Sequence, residues 1–208
     1  MRVAIFGASG RMGRHVVEQA LAAGHEVTAF VRDPARLPTR HERLRLVAGD
    51  IGDAAKVAEA VVGQDAVISA LGTNRPAFNA MTSGARHIVG AMERHGVRRL
   101  VTLTGAGVPD SHDRPTPINR FISLLLQRIS PDVLADAQRH ADQIRASDLD
   151  WTIVRVGRLT DGSRTGNVRV GWVGVNTRPF IGRPDTAAFM LRQLSDGTHL
   201  RQAPMISN

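Results

Sequence analysis

Short apolar, β-branched runs alternate along this chain with stretches whose apolar positions recur every three to four residues, which predicts strands and helices in turn. Residues 3–6, Val3-Ala4-Ile5-Phe6, form an unbroken apolar run closed by Gly7, the pattern of a strand buried on both faces. Residues 14–23 then set Val16, Val17, Ala20 and Leu21 on one helical face and stop at Gly24. The same reading gives strands over 26–31, 44–48, 66–70 and 99–103, and helices over 53–62 and 81–94. Strands alternating with helices build βαβ units, and right-handed crossovers turn those into a parallel sheet covered on both faces.

From Gly105 the pattern loosens. A loop rich in proline (Pro109, Pro115, Pro117) leads to Ile118, Phe121, Ile122, Leu125, Leu126 and Ile129, which fit one face of a helix. That face reads first as core packing, with a cap over a bound acceptor or a dimer contact as the alternatives. A second helix up to residue 147, a strand over 151–156, irregular strands or a hairpin over 165–180, a helix over 184–194 and a last edge strand over 202–206 complete the prediction. No fixed-period repeat, low-complexity tract or linker divides the chain. The expected architecture is α/β: one doubly wound, Rossmann-type parallel sheet over residues 1–208, with the part from about 105 onward forming a small C-terminal substrate lobe.

Composition narrows the partners. With 208 residues, 42% hydrophobic and 22% charged, the chain falls in the range of soluble globular proteins. No apolar run approaches the roughly 18 residues of a membrane span, so no membrane is expected as a partner, and nothing at Met1-Arg2 marks export, which predicts a cytoplasmic location. The absence of cysteine excludes disulfides, thiolate metal sites and a cysteine nucleophile. The net charge of +8 comes from 27 basic residues spread along the chain, of which only Lys56 is lysine, and aromatics are 4%. A nucleic-acid surface would cluster its charge and interleave aromatics, so no nucleic acid is expected, while anionic small ligands gain from the field. No pair among the eight histidines has metal-ligand spacing beside a third ligand, so no metal is expected; His112 reads as a solvated loop residue.

The chemistry gathers at strand ends. Gly7-Ala8-Ser9-Gly10-Arg11-Met12-Gly13 lies between the first strand and the first helix. Glycines there permit a tight turn and a close backbone, and the N–H groups of the helix start hold a pyrophosphate. An NAD-preferring site places a carboxylate at the end of the second strand. Here Arg32 stands there with Arg36 four residues on, two guanidiniums suited to a 2′-phosphate, so NADP(H) is expected; Asp33 keeps NAD(H) open. Asp50 and Ile51 follow the third strand on the adenine side, and Ala70-Leu71-Gly72-Thr73 follows the fourth, where small residues let the backbone approach the cofactor. Leu103 completes the expected binding set.

Together with Gly63-Gln64-Asp65-Ala66-Val67-Ile68 and Leu149-Asp150-Trp151-Thr152-Ile153-Val154-Arg155, these segments resemble the atypical short-chain dehydrogenase/reductase family, in its NAD(P)H-binding group of NmrA-like proteins and biliverdin reductase B-type flavin reductases. The resemblance spans nearly the whole chain and is weakest over 108–146. It implies a Rossmann-type domain, NADPH, and a planar conjugated small-molecule acceptor such as a flavin, quinone or tetrapyrrole. The chain departs from typical family members in having no tyrosine and one lysine, so their Tyr-x-x-x-Lys proton-transfer pair is absent. That turns the expectation from carbonyl chemistry to acceptors that take hydride directly and a proton from water. The resemblance puts Thr104 beside the nicotinamide, with Gly105 where relatives carry serine; the other reading of Thr104 is strand packing. Arg158 stands where relatives can carry a histidine, and Val156 replaces a frequent proline. A guanidinium gives up no proton at neutral pH, so Arg158 reads as an anchor for a phosphate or propionate or as a plain surface arginine. The expected function is an NADPH-dependent oxidoreductase, monomer or homodimer. The alternative is a non-catalytic NmrA-like sensor of NADP, and a nucleotide-sugar epimerase is disfavoured by the missing tyrosine and the short C-terminal part.

Overall fold

A computed structural model describes residues 1–72 and 80–208, so the position Thr73 lies outside the described residues. The strands are β1 Arg2–Phe6, β2 Glu26–Val31, β3 Leu44–Ala48, β4 Ala66–Ser69, β5 Arg99–Gly105, β6 Asp150–Val156, β7 Arg158–Thr160, β8 Arg169–Gly171, β9 Phe180–Gly182 and β10 Met205–Ser207. The helices are α1 Arg11–Ala22, α2 Ala54–Val61, α3 Ala80–Arg94, α4 Pro117–Ile129, α5 Pro131–Arg145 and α6 Arg183–Arg192.

Eight strands form one sheet in the order β3-β2-β1-β4-β5-β6-β10-β8. All neighbours pair in parallel except β8, which runs antiparallel to β10. Val3, Ala4, Ile5 and Phe6 of the central strand are 0% exposed because their side chains enter two cores. Val3, Ile5, Ile68, Val101 and Val154 pack with α1 and α6 on one face; Ala4, Phe6, Val67, Leu100 and Ile153 pack with α2, α3 and α5 on the other. This is the doubly wound α/β architecture that the alternating pattern predicts.

Four differences from the predicted elements have local causes. Helix α1 begins at Arg11, next to Gly10 at the glycine turn and three residues ahead of the periodic stretch 14–23, because Gly13 fits inside its first turn against the preceding loop. The last strand is interior: β10 lies between β6 and β8, and the edge falls to three-residue β8, whose Arg169 is exposed, a charge of the kind that discourages further pairing. Much of the predicted C-terminal lobe therefore joins the main sheet, leaving β7 and β9 as a separate parallel pair.

The fourth difference is α4. Its periodic face was expected in the core, yet Ile118, Phe121, Leu125 and Ile129 of that face, and Leu124 beside them, are 46% to 71% exposed, while polar Asn119 and Ser123 are half-buried; the side chains of Ile122 and Leu126 lie outside the described residues. Periodicity identifies a face but not its partner. The helix start is well made nonetheless, since Asn119 Oδ1 accepts from the Thr116 N–H (3.0 Å) and hydroxyl (2.6 Å).

Candidate active site

In an open α/β sheet, ligands bind beyond the carboxyl ends of the strands where the strand order reverses, which here is the crevice between β1 and β4. The register aligns Phe6, Ser69 and Thr102 across β1, β4 and β5, so the residues after them, Gly7, Ala70 and the pair Leu103-Thr104, emerge at one sheet end. Gly7 has φ +74°, and a Cβ there would stand 2.7 Å from the Ala70 carbonyl oxygen. The turn closes with the Gly10 N–H donating to the Gly7 carbonyl at 3.0 Å. Gly13 is more tightly bound to its identity: its Cβ would meet the Gly7 oxygen at 2.1 Å and the Ala8 Cα at 2.7 Å.

Helix α1 starts without a side-chain cap and without an acid in its first turn. Its first N–H groups therefore face the open end of the turn, the arrangement that holds an anion. The two expected contacts Ala8 and Met12 are buried in the core beside α1, at 0% and 7% exposure, which leaves only their backbone for a ligand, whereas Ser9 is half-buried and Gly10 and Arg11 are exposed.

Arg32 and Arg36 bracket the single 3₁₀ turn Pro34–Arg36 after β2, both exposed and both without a side-chain partner among the described residues. Asp33 is already engaged, accepting from the Ala35 N–H at 3.0 Å as the cap of that turn. Arg14 ties α1 to the same turn by donating to the Arg36 carbonyl at 2.8 Å, a contact that sequence reasoning missed. On the far side, Asp50 Oδ1 accepts from the Gly52 N–H at 2.8 Å, and His87 Nδ1 donates to the Ile51 carbonyl at 2.7 Å, fixing that loop to α3. Ile51 and Leu71 converge over Gly84, where an added Cβ would lie 3.0 Å and 2.6 Å from them, so the two expected contacts form one apolar wall. Gly72 is exposed beside it.

At the end of β5, Leu103 points into the α1-side core and Thr104 to the opposite face. Thr104 is 4% exposed and its hydroxyl has no partner among the described residues; the Ser69 hydroxyl on neighbouring β4 is in the same state. Two residues deeper on β5, the Thr102 hydroxyl is matched by His140. The Met81 carbonyl can only accept, so His140 Nδ1 carries the proton (3.1 Å) and Nε2 accepts from the Thr102 hydroxyl at 3.0 Å. Burial pushes His140 below the ordinary histidine range, against the pull of the Met81 carbonyl and Asp136, so it stays neutral. Asp136 caps the start of α3, accepting from Met81 N (3.2 Å), Thr82 N (3.1 Å) and the Thr82 hydroxyl (2.5 Å). A buried hydroxyl without a bond costs about 1–3 kcal/mol, and of the six buried side-chain atoms that lack a partner among the described residues, Thr104 Oγ1 and Ser69 Oγ are the two that stand on strands at this sheet end.

Beside Thr104 in register, Arg155 is 0% exposed. It forms a two-armed pair with Asp113 (2.7 and 2.8 Å) and donates to the Val108 and Ala203 carbonyls. Asp113 also accepts from Val173 N at 3.0 Å, so one ion pair ties the loop after β5 to β6, to β10 and to the turn at 172–175.

Arg158 is exposed on β7 and does not line the neighbouring cavity of about 520 Å³. That cavity is walled by Thr160, Ser163, Thr165 and Asn167 with the guanidiniums of Arg169 and Arg178, neither of which has an ion-pair partner among the described residues. No sequence motif marks these two arginines. Beneath them Asp185 holds the loop through Thr165 N (3.0 Å), Gly166 N (2.9 Å) and Asn208 Nδ2 (2.6 Å). Burial alone would raise its carboxyl; the Gly166 and Thr165 donors outweigh that and hold it below the usual range.

The family profile described as NAD(P)H-binding matches residues 7–197. A 3-diazoavenalumate denitrifying reductase of a Streptomyces species is 32% identical over 189 residues, 82% of this chain and 60% of that protein. Among solved structures, a short-chain dehydrogenase/reductase of Veillonella parvula in complex with NADP superimposes with TM-score 0.84 at 19% identity, covering 100% of this chain and 94% of that one. ChuY, an anaerobillin reductase of Escherichia coli O157:H7, superimposes with TM-score 0.82 at 23% identity, covering 100% and 97%. The chain spans about three fifths of the length of the Streptomyces reductase and of an uncharacterized chloroplastic relative in Arabidopsis thaliana.

Proposed function

This chain belongs to the NAD(P)H-binding family, and from that premise we propose that it is an atypical short-chain dehydrogenase/reductase, an NADPH-dependent oxidoreductase that reduces a planar conjugated small molecule. The observation that carries the reading is the buried, unpartnered Thr104 hydroxyl at the sheet end shared with the glycine turn. Reductase relatives of different acceptors, the Streptomyces enzyme and ChuY, support the reaction class.

The residues divide the work. The turn from Gly7 to Gly13 and the N–H groups of α1 hold the pyrophosphate, with Ser9 and Arg11 at its rim. Arg32 and Arg36 clamp the 2′-phosphate, since Asp33 is spent on its own turn. Asp50, Ile51, Ala70, Leu71 and Gly72 border the adenosine side. The bound reduced nicotinamide supplies the hydride. Thr104 donates its hydrogen bond to the carboxamide or to an acceptor oxygen or nitrogen once the side chains enclosing it part. Arg169 and Arg178 anchor an anionic group of the acceptor, the role also expected of Arg158 at the rim.

Purified protein should consume NADPH when FMN or menadione is added, followed by loss of nicotinamide absorbance. Tight NADP binding with no turnover on flavins, quinones or tetrapyrroles would refute the reductase reading and leave the sensor. Arg32→Ala should weaken NADPH by about 1.5–3 kcal/mol and NADH far less, because a charged hydrogen bond is lost only for the former; equal losses in a calorimetric titration would remove the 2′-phosphate role. Thr104→Val should slow turnover about a hundredfold, the scale of one lost donor in an active site. Its melting temperature should hold or rise, as no protein hydrogen bond is broken.

A further inference from the structure

Five of the ten large apolar side chains exposed among the described residues belong to α4: Ile118, Phe121, Leu124, Leu125 and Ile129. Contiguous exposed apolar surface marks an interaction site. The charge on this helix has one sign. Arg120 and Arg128 are exposed, Arg114 precedes the helix, and α4 has no acidic residue; the next acid in the chain is Asp132, in the first turn of α5. At 3.6 residues per turn, Arg128 falls among Phe121, Leu124 and Leu125, one guanidinium inside the apolar face.

We infer that α4 is a docking face for an anionic lipid surface. An apolar helix face flanked by guanidiniums enters the boundary between headgroups and acyl chains while its cations meet lipid phosphates. A second copy of the chain matches the face less well, because a two-fold contact brings Arg120 and Arg128 of both copies together with no carboxylate on the helix to pair with them. The helix rests on α5 between Pro115, Pro117 and Pro131, with the apolar side chains named above left exposed. No helix among the described residues is long and apolar enough to cross a membrane, so the contact is with one surface. Thr116 and Asn119 at the start of α4 also line a cavity of about 240 Å³ with Thr177 and Arg178, so the lipid-facing helix shares a wall with the acceptor side. The inference does not depend on turnover.

The test is flotation with vesicles of phosphatidylcholine and phosphatidylglycerol in equal parts, against phosphatidylcholine alone. The full chain should float with the mixed vesicles only. A Phe121→Ser, Leu124→Ser double variant keeps every charge and removes two exposed side chains, so it should fold and stay at the bottom. Arg120→Gln with Arg128→Gln should lower partitioning about thirtyfold, from two charges worth roughly fivefold each. Flotation that ignores lipid charge, its absence with both vesicles, or undiminished flotation of the serine variant each overturns the inference. So does a concentration-dependent dimer, seen by sedimentation, that the serine variant abolishes, since the face then belongs to a second copy.

Discussion

Gly13→Ala is expected to reduce NADPH affinity roughly a hundredfold, the scale on which a displacement of about 1 Å disables a binding geometry. The new Cβ would stand 2.1 Å from the Gly7 carbonyl oxygen and 2.7 Å from the Ala8 Cα, both backbone atoms of the turn, so no side chain can swing aside. Relief requires α1 to move off the turn, and its uncapped N–H groups move with it. The overpacking itself costs about 1–3 kcal/mol, which a domain of ordinary stability survives. Gly90→Ala in α3 is the matched control: no atom lies within 4 Å of its Cβ position, so it should bind NADPH normally and gain about 0.5–1 kcal/mol from helix propensity. Calorimetric titration and thermal melting separate the two variants. A Gly13→Ala chain that binds as well as the parent would show that the α1 terminus is not where the pyrophosphate sits.

That glycine was readable in the sequence because all the chemistry of the turn lies within seven consecutive residues, between an apolar run and a helical one. Strands β1, β2, β4, β5 and β6 were readable for a related reason, since burial on both faces favours apolar runs, whereas the edge strand β3, with Arg45 and Leu46 exposed, was legible through the alternation with helices. The three-residue strands β7, β8 and β9 left no such run, since their pairing partners lie far along the chain. Arg169 and Arg178, which line one cavity, likewise carry no local signature, whereas Arg158 is singled out by its place after β6. The buried network from Asp136 and His140 to Met81, Thr82 and Thr102 is also non-local, joining two helices and a strand. Helix α4 shows the limit of periodicity itself. Its pattern marked a face, and the orientation of the described part of that face was decided by tertiary contacts that no window of sequence contains.

Asp113→Ala is expected to lower folding stability by about 3–5 kcal/mol, the loss found when one partner of a buried ion pair is removed. Arg155 is 0% exposed, and without Asp113 its remaining hydrogen bonds among the described residues go to the Val108 and Ala203 carbonyls, leaving a full charge in the core. The carboxylate also holds Val173 N and Asp110 N, so the loop after β5 and the turn at 172–175 lose a common anchor. Urea unfolding measures the loss, and a paired Arg155→Met, Asp113→Leu variant tests its origin. If the unpaired charge is the cause, the double variant recovers most of the lost stability, because an apolar pair of similar size replaces the ions without stranding either. If the lost cross-links are the cause, the double variant stays as weak as the single one. Affinity for NADPH should survive in both, since the glycine turn and Arg32 lie at the β1–β2 side of the sheet, whereas turnover should fall as the wall beside Thr104 loosens. A single variant within about 0.5 kcal/mol of the parent, the usual effect of a neutral surface change, would show that this pair does not hold the acceptor side together.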